Sequence, residues 1–89
     1  MTDTIRLPDE LGHRLRERRE ALGMSKSELA EKAGKVREVI YRLEAGEDTT
    51  VSSLMAVLGA LGMAMRIEPV GLPSAEEVAR RFQEDEDAS

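Results

Sequence analysis

The stretch "SKSELAEKAGKVREVIYRLEAGE", residues 25–47, decides how this chain folds. Ser25 and Glu28 have the spacing of a capping box, in which each side chain satisfies the other residue's backbone N–H. Met24 and Leu29 stand at the two positions of a hydrophobic staple, so a helix starts at Ser25. Leu29, Ala30 and Ala33 give that helix a thin apolar face, and Gly34 can take the left-handed conformation that ends it. A second helix follows from about Val36 to Ala45, because Val36, Val39, Ile40 and Leu43 recur at i, i+3, i+4 and i+7. Gly46 ends it, and its other side carries Arg37, Glu38, Tyr41 and Arg42.

The flanks continue the pattern. Upstream, "LPDELGHRLRERREALG" places Leu11, Leu15 and Leu22 on one helical stripe, with Pro8 and Asp9 as start signals and Gly23 as a stop. Arg18 falls within that stripe, which predicts a stem along the core edge and a guanidinium in water. Downstream, Thr50 caps a fourth helix whose Val51, Leu54, Met55, Val57, Leu58 and Leu61 are too broadly apolar for one-sided burial. Much of this helix is expected to be buried, in part between subunits. After Gly62 the period changes: Met63, Met65 and Ile67 alternate with Ala64, Arg66 and Glu68, a strand pattern that stops at Pro69. A lone strand needs a partner, either "TIRL" at residues 4–7 or the same strand of a second subunit paired antiparallel. A further capping box, Ser74 with Glu77, opens a short helix carrying Val78, Ala79 and Phe82, before the acidic run Glu84 to Asp87.

Bulk composition narrows the function. The chain has 89 residues and a net charge of -5, unevenly spread: residues 6–42 hold ten Lys and Arg against seven Asp and Glu, and residues 43–89 hold three against ten. A basic first half is the footprint of a nucleic-acid partner, and the overall acidity does not veto it. There is no Cys and a single His, His13, which excludes disulfides, thiolate zinc sites and histidine clusters. The apolar runs are far shorter than the roughly 20 residues of a membrane span, and no hydrophobic signal core follows Asp3, so a cytoplasmic protein is expected. With 2% aromatic residues, the core must be built from aliphatic side chains in packed helices. A core of this size is marginal alone, which favours oligomerisation. There is no Cys, the one His is isolated, and no glycine-rich phosphate loop or convergent carboxylate set is present, so neither an enzyme nor a cofactor is expected.

A capped short helix, a turn at Gly34 and a second amphipathic helix form a helix-turn-helix arrangement, whose second helix can lie in the major groove of DNA. A solvated charged face on a structural hairpin would look much the same, and the residues alone leave both readings open. The segments "LGHRLRERREALGMSKSELAEKAG" and "YRLEAGE" resemble the Cro and phage-repressor family of helix-turn-helix domains, the XRE type. Within that family, "SKSELAEKAG" and "TTVSSLMAVLGALGMAMRIEP" are similar to HipB-type antitoxins, and the resemblance covers roughly residues 5–69.

The resemblance implies a mainly all-α, lambda-repressor-like bundle of four to five helices with a short C-terminal strand that pairs across a dimer. Its parts would be an N-terminal arm (1–8), a DNA-binding domain (9–62), a dimerisation strand (63–69) and an acidic tail with a short helix (70–89). It implies DNA contacts by Arg37, Glu38, Tyr41 and Arg42, a phosphate contact by Lys26, and Lys35 beside them in the turn. It implies a buried structural pair between Arg19 and Glu44, an expectation the helical faces support. Met63, Met65 and Ile67 would serve dimerisation, and Val78 and Phe82 would meet a toxin. Two departures bear on the reader: Lys35 and Val36 replace the family's apolar and small polar residues, which puts the register of the turn in question, and Glu38 sets a carboxylate where phosphate approaches. Glu38 either holds Arg42 at i+4 or accepts from cytosine N4.

The expected function is a homodimeric, sequence-specific repressor of prokaryotic type on a palindromic operator, and the antitoxin of an operon that also encodes a HipA-like toxin kinase. The alternatives are a stand-alone phage-type or controller repressor and a protein-interaction module with weak DNA binding.

Overall fold

The computed structural model describes residues 4–70 and 79–80, and in it four helices follow one another: α1 (Pro8–Ala21), α2 (Lys26–Ala33), α3 (Arg37–Glu44) and α4 (Val51–Ala60). Local chemistry sets their starts. Pro8 opens α1, where its missing N–H would have had no helical partner. At α2, Ser25 Oγ accepts from the Glu28 N–H at 3.0 Å while the Ser25 N–H donates to Glu28 Oε1 at 3.2 Å. Thr50 Oγ1 accepts from the Ser53 N–H at 3.1 Å to cap α4. Helices α1 and α3 start on apolar residues, Leu7 and Val36, and neither has a side-chain cap.

The ends are closed by backbone alone. Gly34 adopts φ 68°, so that the Gly34 N–H reaches Glu31 O at 3.1 Å and the Lys35 N–H reaches Ala30 O at 2.9 Å. This paired arrangement satisfies two terminal carbonyls and requires a residue that tolerates positive φ. The same bonding pattern closes α1, α3 and α4. Because it uses no side chain, Lys35 and Val36 leave the register of the turn undisturbed.

Helix α1 packs on α3, while α2 packs on both α3 and α4. Leu15, Leu29, Ile40, Val57 and Leu61 meet in the fully buried centre. A Cβ on Gly12 would lie 2.5 Å from the Leu43 carbonyl oxygen and 2.6 Å from that of Glu44, so α1 and α3 touch backbone to backbone there. That approach sets Arg19 against Glu44: Nε to Oε2 is 2.7 Å and Nη2 to Oε1 is 3.1 Å, with Nη1 donating to Met24 O at 2.8 Å. The hydrogen bond to Glu44 holds the Arg19 pKa above the ordinary guanidinium value, against an opposing effect of burial.

Three expectations are modified. The Arg18 side chain is not given over to water: its Nε donates to Leu61 O at 2.9 Å, tying α1 to the end of α4. Helix α4 buries Ser53, Val57, Leu58 and Ala60 but leaves Val51 and Met55 exposed, so within one chain its burial is one-sided. Among the described residues no strand is assigned; residues 63–69 carry no regular structure within the single chain, and a pairing across two chains would need the second. Ala79 and Arg80 are helical, whereas Val78, Phe82 and Glu84 to Asp87 lie outside the described residues.

Candidate nucleic-acid interface

Helices α2 and α3 present one continuous outer surface because the Gly34 turn sets their N-terminal residues side by side. Lys26, the first residue of α2, holds its Nζ 3.9 Å from the centroid of the Tyr41 ring. Arg37, the first residue of α3, places its guanidinium carbon 5.1 Å from the same centroid, and its Nη2 donates to Tyr41 Oη at 2.7 Å. Two cations from two helices therefore share one aromatic ring, an arrangement favoured by the ring's negative face.

One residue further along α3, Arg42 Nη2 donates to Glu38 Oε1 at 2.9 Å. Both pairs on α3 have i, i+4 spacing, which brings their side chains together on one helical face. The carboxylate of Glu38 is thus engaged by Arg42. Tyr41 is 44% exposed and Val36 68% exposed, so both can meet a partner. Lys35 is half-buried in the turn and contributes its backbone bond to Ala30.

Such a surface can act on DNA in three ways. Lysine and arginine neutralise phosphates, a guanidinium fork matches guanine O6 and N7, and an exposed valine at the helix tip can lie against a thymine methyl. Of the residues singled out by sequence, the structure joins Lys26, Arg37 and Tyr41 in one cluster, Glu38 and Arg42 in a second, and Arg19 and Glu44 in the packed interior. Met63, Met65 and Ile67 are set apart from the reader, lining an apolar groove with Ile5, Leu7 and Leu11 of the N-terminal side. His13 is on the exposed side of α1, 2.8 Å from Glu17. Periodicity could suggest the Arg37–Tyr41 and Glu38–Arg42 pairs, but the Lys26–Tyr41 contact crosses the turn and no spacing rule reveals it. The periodicity predicts Val36 on the apolar stripe of α3 and as an unusual cap; instead it is exposed at the helix start beside Arg37, where an apolar side chain can make base contact.

Residues 15–67 match the helix-turn-helix family. No curated protein matches significantly. Among solved structures, the chain is similar to one in a HipA-HipB-O2-O3 complex, with TM-score 0.73 and 25% identity over 79% of this chain and 100% of that one. A HipB-O4 20mer complex gives the same values, and a HipB-O1-O2 complex gives TM-score 0.70 and 26% identity, covering 76% of this chain and 100% of that chain. No described helix is long and apolar enough to cross a membrane.

Proposed function

The chain belongs to the helix-turn-helix family, and on that premise we propose that it is a sequence-specific, homodimeric DNA-binding repressor serving as the antitoxin of a HipA-like toxin. The observation that carries the reading is the outward face of α3 and the start of α2, where Lys26, Arg37 and Arg42 lie with the only nearby carboxylate of α3 already paired. The solved HipB chains that match along their whole length stand in complexes with an O4 20mer and with O1-O2, which supports DNA as the partner.

Glu38 acts in this reading by holding Arg42, since the two are in hydrogen-bond contact. The apolar groove around Met63, Met65 and Ile67 is the dimer contact, and residues 63–69 pair with their counterpart in a second subunit. Two α3 helices related by a twofold axis then face a palindromic site. In this reading the acidic segment beyond Pro73, with Val78 and Phe82, meets the toxin, and the similarity to a chain of a HipA-HipB-O2-O3 complex supports a HipA-like partner. Together these contacts let one chain silence its own operon and neutralise the encoded kinase.

The decisive measurement is fluorescence anisotropy of the purified chain on DNA from upstream of its own gene, against random DNA, across a salt series. Specific binding is expected, with log affinity falling by about 0.9 per neutralised phosphate for each tenfold rise in salt. Equal affinity for both DNAs would sink the repressor reading in favour of the interaction module. Co-purification with the neighbouring gene product, before and after truncation at Pro73, tests the toxin contact; its absence leaves a stand-alone repressor.

A further inference from the structure

Tyr41 stands at the meeting point of two cations, Lys26 and Arg37, neither of which is in an ion pair with a carboxylate among the described residues. Bringing like charges onto one ring is unfavourable unless something holds them, and the ring and hydroxyl are the two neutral groups that do so. The ring face engages the Lys26 ammonium, and the hydroxyl oxygen accepts from Arg37. An Arg37 so tethered through one nitrogen still keeps other N–H donors for a ligand.

From this geometry we infer that Tyr41 is a positioning residue, which presets Lys26 and Arg37 for DNA by locking the first residue of α2 to the first residue of α3. The role rests on the DNA-binding reading above. Its physical content is that both long, flexible side chains are ordered before DNA arrives, so less entropy is lost on binding. Lys26 is thereby held as a phosphate contact at the helix start, while Arg37 is held for a phosphate or a guanine edge. Tyr41 thus acts through its neighbours, whether or not its own ring touches a base.

Two variants separate the ring from the hydroxyl: Tyr41→Phe keeps the ring and drops the tether to Arg37, and Tyr41→Leu drops both. In the free protein, NMR should show the Lys26 ε-methylene protons shifted upfield by the ring current, in the unaltered chain and in Tyr41→Phe but not in Tyr41→Leu. On operator DNA, Tyr41→Leu should weaken binding about tenfold at low salt and flatten the salt slope by about 0.9, the signature of one lost phosphate contact. Tyr41→Phe should restore the slope while keeping a smaller loss of affinity. Lys26→Gln should cost affinity in the unaltered chain and little more in the Tyr41→Leu background, because coupled residues are not additive. Additive losses, or a ring-current shift missing from the free protein, overturn the positioning role and leave DNA binding intact. Failure of the unaltered chain to bind any DNA overturns the functional reading and this role with it.

Discussion

Arg19 and Gly12 act on the same contact from opposite sides. Gly12 lets the backbones of α1 and α3 approach until no side chain fits between them, and Arg19 then reaches Glu44 with two hydrogen bonds and Met24 with a third. Both charged side chains are nearly removed from water, so deleting one strands the other. Glu44→Ala should cost about 3 to 5 kcal/mol, read from urea unfolding; an unchanged midpoint would show the pair to be dispensable. Gly12→Ala raises helix propensity by about 1 kcal/mol, but its methyl meets a backbone carbonyl that cannot rotate away. Overpacking of this kind costs about 1 to 3 kcal/mol, so we expect net loss of stability and a lower Tm. The pKa of Arg19 is raised by folding, which means its contribution is fully present below the unfolded value and is lost only as pH rises through the higher folded one. Arg19 therefore adds no pH dependence to stability near neutrality.

At the scale of elements, the α2–turn–α3 unit is held by backbone closure at Gly34 on one side and by the Tyr41 cluster on the other. The closure explains why a lysine and a valine are tolerated in the turn: neither side chain takes part in it. Helix α3 uses its two i, i+4 pairs to arrange its arginines, and the Glu38–Arg42 pair is exposed enough that its worth lies in orientation rather than stability. Glu38→Gln should accordingly change affinity for all operator variants by a similar factor. A selection of randomised operators in which this variant loses its preference at a single base pair would instead assign Glu38 to cytosine.

At the scale of the whole molecule, the described residues leave an apolar side exposed. Ile67 is 90% exposed, and with Met63, Met65, Ile5 and Leu7 it borders the groove that Leu11 and Leu15 of α1 also line. In the dimer proposed above this area leaves water, and Ile67→Asp should therefore give a monomer in sedimentation at micromolar concentration. Helical circular dichroism should persist, since Ile67 takes no part in the core, while operator affinity should fall because two half-sites are no longer held together. A dimer that survives this substitution would place the subunit contact elsewhere.

Much of the fold was legible in the chain itself, because its signals are local. The capping box at Ser25, the cap at Thr50, the glycines after each helix and the spacing of Val39, Ile40 and Leu43 in α3 act over a few residues, and each appears where the local pattern predicts it, whereas Val36 is exposed at the helix start. The pairs Arg37–Tyr41 and Glu38–Arg42 belong with them, since helical repeat alone brings i and i+4 together. What joins distant segments was decided by tertiary packing: the bond from Arg18 to the end of α4, the backbone contact at Gly12, the one-sided burial of α4, and the Lys26 ammonium over Tyr41. Local spacing states which side chains share a face, but only the packing of one helix on another determines which faces meet and at what distance.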